Sequence, residues 1–515
     1  MSTSRQTVPL RTPRVVVVGA GAGGLTAGIL LATRGLDVTI VESAAAPGGK
    51  IRTQTVCGQA IDAGPTVLTM RWVFEEIFNE AGARFEDHIG LRPAELLARH
   101  VWAQGETLDL FADRAKSARA IAAFSGRSEA QRYLDFCAET ARTYKALERT
   151  FMTAERPSMA GLVRRAGVGA LLRAGPFSDM WTALGKAFAD ERLRQLFGRY
   201  ATYVGSSPFL APATMMLIAH VEQEGVWLVD GGMARLAEAM AFLAAGKGAS
   251  LRYDERVAEI RVSGNRASGV TLASGETLDA DAIVLNADVS ALATGRFGSG
   301  AAKAAGVAAT SVRSLSAVTF ACLARTEGFP LTRHNVFFSP DYRAEFDDLF
   351  ARRHLPDDAT VYVCAQDRET GAAVPEAERL FILVNAPADG DRRPLTPQEI
   401  LECERRTLSR LERAGLRIHR LGQQVTTPTD FETRFPATGG ALYGAATHGA
   451  MASFARPSSR TRLPCLYLAG GSAHPGAGVP MAALSGRIAA TAILQDLAST
   501  HRFHATVTPG GTSMR

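Results

Sequence analysis

A cluster of glycines directly after a valine-rich run constrains the fold of this chain more than any other feature. Four glycines lie within residues 19–24, after the apolar run 14–18, and an apolar helical pattern begins at Leu25. A second apolar, β-branched run at residues 38–41 ends at Glu42. A buried strand, a tight turn, a helix and a second parallel strand form a βαβ unit. The sequence therefore predicts a parallel α/β domain at this end of the chain.

The same region raises the question of a membrane span. Residues 15–33 carry no charge, and a length rule alone would make them a transmembrane helix. Glycine destabilises helices, and the glycines crowd behind a β-branched run, so a strand, a turn and a helix explain this order better. The preceding residues are few and polar, without a secretory core. We expect a cytoplasmic protein without a transmembrane helix.

The glycine spacing indicates a dinucleotide site. Gly19, Gly21 and Gly24 match the G-x-G-x-x-G fingerprint, and Glu42 supplies the acid that is expected after the second strand. The first glycine permits the tight turn, the second lets the backbone approach a pyrophosphate, and the third lets helix and strand pack closely. The helix N-terminus faces the phosphate charge. Glu42 is expected to accept hydrogen bonds from an adenosine ribose.

Further glycine-rich segments favour FAD over NAD. Residues 47–52 contain a second glycine pair, which lets the chain pass close to the cofactor, and Arg52, which brings charge for the phosphates. Residues 62–66 add a rigid turn. Residues 470–480 lead into the final helix pattern, whose N-terminus would stabilise the anion of a reduced flavin. A nicotinamide fold needs none of these additions, so we predict FAD.

One FAD-binding domain is thus predicted from three separated pieces of the 515-residue chain, residues 12–80, 225–300 and 455–500. Residues 81–224 are predicted to form a helical, basic, substrate- and membrane-associating region, and residues 301–454 a mixed substrate domain. The fold class is α/β, a Rossmann-like FAD-binding domain with inserted mixed β and helical regions. The length suits two or three domains.

The net positive charge is concentrated in one stretch. Residues 142–199 hold eleven basic and five acidic residues, and this excess of +6 equals the net charge of the whole chain. Interleaved apolar residues are typical of helices that rest on an anionic membrane surface, although a solvated helical face has the same composition. No segment is basic enough to predict nucleic-acid binding. We predict peripheral association with the inner face of the membrane.

The cysteines are too far apart to form a metal or iron–sulfur site. No two lie in a C-x-x-C pair, and no metal is predicted. They are interpreted as small buried apolar residues in a reducing compartment: Cys57, Cys137, Cys322, Cys364, Cys403 and Cys465.

Nearly the whole chain resembles the bacterial phytoene desaturase family of carotenoid FAD enzymes. The motifs that carry the resemblance are residues 19–24, Glu42, 48–52, 225–227, 231–233, 286–289 and 469–476. Within the family, residues 192–205 and 334–339 look most like the 1-hydroxycarotenoid 3,4-desaturases, also called methoxyneurosporene dehydrogenases. Phytoene desaturases tend to carry Pro-Arg before the middle Gly-Gly, where this chain has Val229-Asp230.

The motifs and the resemblance together give a set of predicted FAD contacts. They are Gly19, Ala20, Gly21, Gly23, Gly24, Glu42, Gly48, Gly49, Lys50, Arg52, Pro65, Thr66, Val257, Gly470, Gly471, Gly478, Val479, Pro480 and Met481.

The resemblance also implies an activity. A related enzyme would introduce the C3–C4 double bond into a long acyclic 1-hydroxy or 1-methoxy carotenoid such as hydroxyneurosporene, by hydride transfer to the flavin. Oxygen or a quinone would then reoxidise the flavin. Phytoene desaturation and carotenoid isomerisation are alternatives within the family. A flavin amine oxidase and a non-catalytic carotenoid carrier are alternatives outside it.

The residue that accepts the substrate proton is harder to predict. Residues 133–138 align with the family segment Phe-Leu-Asp-Tyr-Ser-Arg, and Asp135 matches its acid–base carboxylate. The accompanying arginine is replaced by Ala138, which removes the pairing. Asp135 is therefore the candidate catalytic residue, with a solvated helix surface as the alternative interpretation.

Overall fold

A five-stranded parallel sheet organises the first domain. The computed structural model describes residues 11–103, 105–155, 178–306, 311–368 and 374–504. The strands are β1 Arg14–Val18, β2 Asp37–Val41, β3 Thr53–Val56, β4 Gln59–Asp62, β5 Leu91–Pro93, β6 Leu96–Val101, β7 Thr107–Phe111, β8 Trp227–Val229, β9 Ser250–Arg252, β10 Val257–Ser263, β11 Arg266–Leu272, β12 Thr277–Asp279, β13 Ala282–Leu285, β14 Ser316–Glu327, β15 His334–Phe337, β16 Val361–Ala365, β17 Glu378–Ala386, β18 Arg417–Thr426 and β19 Leu466–Leu468. The parallel sheet has the order β19-β13-β1-β2-β9.

The described helices pack mainly on these strands or around the inserted regions. They are α1 Ala22–Thr33, α2 Arg71–Glu80, α3 Arg114–Ser125, α4 Arg127–Leu147, α5 Met180–Ala187, α6 Glu191–Gly198, α7 Leu217–Glu224, α8 Ala234–Gly246, α9 Val289–Ala293, α10 Ser299–Ala302, α11 Tyr342–Asp347, α12 Pro397–Arg413, α13 Pro428–Arg434 and α14 Val479–His504.

The predicted βαβ unit is confirmed. Val15 of β1 pairs in parallel with Val38 of β2 on one side and with Ala282 of β13 on the other. The intervening helix α1 is buried on nearly every face, as expected of a helix between a sheet and other helices. The uncharged stretch 15–33 is therefore a strand, a turn and a core helix. Within the described ranges, we find no helix with the length and apolar character that a bilayer crossing requires.

The sheet draws its strands from distant parts of the chain. β1 and β2 come from the N-terminal part, β9 and β13 from the middle, and β19 from the C-terminal part. A small antiparallel sheet, β10-β11-β12, packs beside it. Ile260 and Val270 of that sheet share a buried cluster with Val18 of β1. These strands all belong to the three pieces predicted to form the FAD-binding domain.

A second sheet of seven strands supports the rest of the molecule. Its order is β18-β14-β17-β16-β15-β6-β7. The pairing is antiparallel except between β15 and β6, where Asn335 lies opposite Arg99. The sequence prediction described residues 81–224 as helical, but β6 and β7 of that region are strands that extend this sheet. The pairing joins segments that are far apart in the chain, which local sequence patterns do not reveal.

The helices of residues 114–224 enclose an aromatic core. The rings of Phe188 and Phe197 stack with centroids 4.9 Å apart, and Phe136 lies 4.8 Å from Phe197. Of the basic stretch 142–199, residues 156–177 lie outside the described residues. In the described part, Arg192 is bound to Glu106 and Asp190 rather than free on the surface.

The cysteines follow the sequence interpretation in four of six cases. Cys137, Cys322, Cys364 and Cys403 are buried, whereas Cys465 is half-buried and Cys57 is exposed. The interpretation is wrong for these last two. Cys57 lies in the turn between β3 and β4 with a left-handed backbone, φ 49°, so its side chain leaves the core. The described residues contain no group of ligands that could hold a metal ion.

Candidate FAD site

The glycine loop after β1 makes a tight cradle. Gly19 has φ +101°, which few other residues adopt, and a Cβ at Gly24 would overlap the Gly19 carbonyl oxygen. A Cβ at Gly21 would lie 2.7 Å from the side chain of Asn286. Gly21 is the N-cap residue of α1, and no side chain caps the helix there. The first N–H groups of α1 are therefore available to an anion.

The second glycine pair lies directly against this loop. Gly48 donates its backbone N–H to the Ala20 carbonyl at 2.8 Å. Its φ is +123°, and a Cβ at Gly49 would lie 3.4 Å from the Cα of Gly21. Two segments that are separated in sequence by α1 and β2 thus form one continuous backbone surface.

The acidic residue after β2 lies beside the loop. Glu42 is buried, with one carboxylate oxygen accepting from the Ala20 N–H at 2.7 Å and the other from the Ala44 N–H at 2.9 Å. The Ser43 hydroxyl also donates to the oxygen that accepts from Ala44, at 3.2 Å, so the oxygen bound to Ala20 is the one with a lone pair for another donor. Val257 begins β10 and packs in the same buried cluster as Val41, the residue before Glu42.

The C-terminal segment closes the cradle from the other side. Gly470 follows β19 with φ +103° and donates its N–H to the Ser485 hydroxyl at 2.6 Å. A Cβ at Gly23 would lie 2.8 Å from both the Gly470 nitrogen and the Ala482 carbonyl oxygen. The start of α14 therefore crosses the start of α1 at backbone contact. Five further predicted contacts lie between β19 and the first turn of α14: Gly471, Gly478, Val479, Pro480 and Met481.

Three basic side chains converge on the cradle. Lys50 donates to the Leu442 carbonyl at 2.5 Å, Arg52 to the Gly49 carbonyl at 3.1 Å, and Arg456 to the Gly471 carbonyl at 2.8 Å. Burial lowers the pKa of Lys50 and of Arg52, and lowers the pKa of Arg456 to about 10. None of the three forms an ion pair with a carboxylate of the described residues. Buried cations without such partners indicate an anionic ligand.

Asn286 and Arg456 were not among the predicted contacts. Asn286 follows β13, donates to the Gly19 carbonyl at 3.3 Å, and has a buried side-chain oxygen without a partner in the described structure. Its place directly after a buried strand beside β1 is a signal that the sequence offered. Arg456 lies in an irregular segment and has no such signal.

The turn after β4 joins the cradle to the second sheet. The Asp62 side chain accepts the Met233 N–H at 2.9 Å, which fixes the middle Gly-Gly motif. Pro65 and Thr66 follow, and the Thr66 hydroxyl lies 2.7 Å from the hydroxyl of Tyr362 on β16.

Asp135 lies apart from all these residues. It is exposed on α4, where it accepts from the Gln131 side chain at 3.1 Å. The neighbouring Tyr133 and Phe136 face the aromatic core instead. The described structure brings no cofactor-site residue to Asp135.

The cradle fits FAD on its own geometry. Backbone N–H groups at an uncapped helix N-terminus, glycines without room for a side chain, and basic residues without carboxylate partners suit the pyrophosphate of a dinucleotide. Glu42 lies one strand further, where the ribose of such a cofactor is bound in βαβ folds.

Comparisons with known proteins agree with this geometry. Residues 22–494 match the family described as flavin containing amine oxidoreductase. A hydroxyneurosporene desaturase of Rubrivivax gelatinosus is 54% identical over 98% of this chain and 98% of its own length. One from Cereibacter sphaeroides is 47% identical over 95% of this chain and 99% of its own length. The fold is shared with a putrescine oxidase variant, at a TM-score of 0.61, 15% identity, and coverage of 94% and 99%.

The predictions of a flavoprotein enzyme and of FAD as its cofactor are thereby confirmed. The resemblance to carotenoid enzymes, stated from the motifs, is confirmed as well. This chain belongs to the flavin containing amine oxidoreductase family, as a member of its carotenoid desaturase branch.

Proposed function

We propose that the protein is an FAD-dependent desaturase that introduces the C3–C4 double bond into an acyclic 1-hydroxy or 1-methoxy carotenoid such as hydroxyneurosporene. The observation that carries this proposal is the 54% identity, over almost the full length of both chains, to a protein named hydroxyneurosporene desaturase. The glycine cradle and its basic residues without carboxylate partners support the required flavin site.

The predicted contacts have distinct roles in this proposal. The Gly19–Gly24 loop and the start of α1 bind the pyrophosphate, and Glu42 with Val257 holds the adenosine end. Lys50, Arg52 and Arg456 neutralise the phosphate charge or the electron-rich end of the ring. The start of α14 faces the same end with its positive dipole. Bound FAD supplies the hydride acceptor, which no protein side chain offers.

The protein's own contribution is then to bind and align an apolar polyene. An aromatic cluster leads inward from the surface: Phe209 contacts Trp181 at 4.8 Å and Tyr342 at 6.0 Å between ring centroids. Aromatic rings suit a long conjugated chain because they offer large apolar faces. Holding the C3–C4 bond in one orientation lowers the entropic part of the barrier.

We also propose that the mouth of this region touches the membrane. Three large apolar side chains, Leu210, Val312 and Met451, are 48%, 60% and 51% exposed. The Leu210 carbonyl accepts from the Gly449 N–H, and the Val312 carbonyl accepts from the Ala446 N–H. These bonds hold Leu210 and Val312 to the segment that carries Met451. Exposed apolar groups beside an inward path suit a substrate dissolved in lipid. Oxygen or a membrane quinone would accept the electrons from the reduced flavin.

Purified, FAD-loaded protein supplied with carotenoids in liposomes tests the function. We expect 1-hydroxyneurosporene to gain one double bond, seen as a red shift of its absorption and by chromatography. Phytoene supplied in parallel should stay unchanged. Conversion of phytoene alone would overturn the substrate, and a change of geometry without new conjugation would make the protein an isomerase.

The amine oxidase alternative is tested in the same preparation. An amine oxidase would release hydrogen peroxide when amines are added, and the desaturase should not. A carotenoid carrier would bind pigment without anaerobic bleaching of its flavin, whereas a desaturase bleaches when hydroxyneurosporene is added.

A further inference from the structure

Arg199 is a basic residue surrounded by tyrosines and without a carboxylate partner. It begins the 3-10 helix Arg199–Val204, directly after α6. Its guanidinium lies 5.7 Å from the ring centroid of Tyr203 and 5.4 Å from that of Tyr362. Within the described residues it forms no ion pair. The nearby Glu222 carboxylate instead accepts the Tyr200 hydroxyl at 2.6 Å.

These side chains form one cluster that a ligand can reach. Tyr362 and Tyr443 are half-buried, and burial raises the pKa of the Tyr203, Tyr362 and Tyr443 hydroxyls. Tyr203 keeps 37% of its surface accessible, and Arg199 is only half-buried. We call these four residues the tyrosine cluster.

The tyrosine cluster borders the FAD cradle on two sides. The Tyr362 hydroxyl lies 2.7 Å from that of Thr66, in the turn predicted to contact the cofactor. Tyr443 follows Leu442, whose carbonyl accepts from Lys50, and the Tyr443 carbonyl accepts from Arg456 at 3.2 Å. The tyrosine cluster is thus placed beside two segments of the proposed cofactor site, where the reacting end of a substrate would meet the flavin.

An arginine without a carboxylate ion pair can bind a polar group of the substrate. A tertiary alcohol can accept from a guanidinium N–H and donate to a phenol or carboxylate oxygen, and a methyl ether can still accept. In a 1-hydroxy carotenoid the carbon that bears this oxygen is separated from C3 by C2 alone. Binding the oxygen would therefore fix the distance of the C3–C4 bond from the cluster.

We propose that Arg199, with Tyr203 and Tyr362, binds the C1 oxygen of the substrate and so determines both its selection and the position of the new double bond. This inference rests on the proposed function and adds the subsite that distinguishes oxygenated carotenoids from hydrocarbons. A hydrocarbon would displace water from the guanidinium without replacing its hydrogen bonds, which disfavours its binding.

The test compares matched substrates with and without the C1 oxygen, 1-hydroxyneurosporene and neurosporene. The FAD-loaded wild type and its Arg199→Met, Arg199→Lys and Tyr203→Phe variants are measured with both. We expect the ratio of kcat/KM for the hydroxylated substrate to that for the hydrocarbon to fall by about tenfold or more in Arg199→Met. Direct binding of both carotenoids, followed by quenching of protein fluorescence, should show the same loss of preference.

Arg405→Met is the control, because Arg405 is exposed on α12 and, among the described residues, bonds to Glu402 of its own helix. It should keep the wild-type ratio. If kcat/KM falls equally for both substrates in Arg199→Met and in Tyr203→Phe, these residues have a structural role and the inference is overturned. If Arg199→Met fails to fold, Arg199→Lys and Tyr203→Phe decide in the same way.

The proposed function and the subsite fail in different ways. A wild type that does not desaturate 1-hydroxyneurosporene removes the function and the subsite together. A wild type that desaturates both substrates equally well keeps the function and removes the subsite.

Discussion

The surroundings of Asp135 distinguish a catalytic carboxylate from one on a solvated helix surface. Its carboxylate is exposed on the outer face of α4 and accepts from Gln131, one turn earlier on the same helix. We expect Asp135→Asn to keep a kcat/KM for hydroxyneurosporene close to that of the wild type and a thermal midpoint within the range of surface substitutions. Steady-state kinetics and a melting curve measure both.

A proton-transfer role makes the opposite prediction for Asp135. General acid–base catalysis contributes about 10²-fold or more, so a loss of that size, with unchanged FAD content, would make Asp135 catalytic. Lys50 and Arg456 show why side-chain environment matters here more than motif matching. Their burial and lack of carboxylate partners in the described structure are the grounds on which we propose the cofactor side, whereas Asp135 is an exposed carboxylate.

At the scale of elements, the shape of the cradle depends on the crossing of helices α1 and α14. α1 and α14 meet where a Cβ at Gly486 would overlap the Gly23 carbonyl oxygen and lie 3.0 Å from the Thr26 Cβ. We expect Gly486→Ala to push the helices apart, with a loss of about 1–3 kcal/mol in stability and a lower FAD content. The thermal midpoint and the ratio of flavin to protein absorbance measure these effects.

Gly246→Ala is the matched control for that helix crossing. Gly246 ends α8, and a Cβ there meets no atom within 4 Å. It should leave both quantities unchanged or slightly raise the midpoint. A Gly486→Ala variant with full FAD content and an unchanged midpoint would mean that the two helices do not need backbone contact.

The elements also show what the sequence could predict. The βαβ unit was predictable because its signals are local, although α1 begins at Ala22 rather than Leu25, since its first turn is made largely of the glycines themselves. The partnership of β6 with β15 was not predictable, because Arg99 and Asn335 meet only in the folded chain. Arg199 lies within the family motif at residues 192–205, but the tyrosines around it come from three separate segments. Their meeting was therefore not predictable from the sequence.

At the scale of the whole molecule, buried histidines couple stability to pH. Burial lowers the pKa of His100 and of His334 to about 3, and that of His474 to about 4. All three are nearly inaccessible, so they stay neutral in the folded protein while the unfolded chain takes up protons near pH 6.5. The unfolded state then binds more protons, and stability falls as the pH falls from 6.5 towards 4.

Buried carboxyl groups oppose this trend, and Glu345 is the clearest case, although burial raises the pKa of Asp62 and of Glu222 as well. Burial raises the pKa of Glu345 to about 7, although the Thr360 hydroxyl donates to it at 2.7 Å. Between pH 4.5 and 7 the folded state binds a proton at Glu345 that the unfolded chain does not. The contribution of Glu345 to the stability of the folded protein therefore falls as the pH rises. His448, whose pKa burial also lowers to about 4, adds to the histidine side, so we expect stability to fall on acidification below pH 6.5.

Denaturation of the FAD-loaded protein measures the sum of these protonation effects. The urea midpoint should fall between pH 6.5 and 5.5, and His100→Gln should make the fall smaller, because glutamine has no proton to gain in the unfolded chain. Glu345→Gln should steepen the fall, since it removes one of the opposing groups. A midpoint that rises on acidification would mean that the histidines are already protonated inside the folded protein.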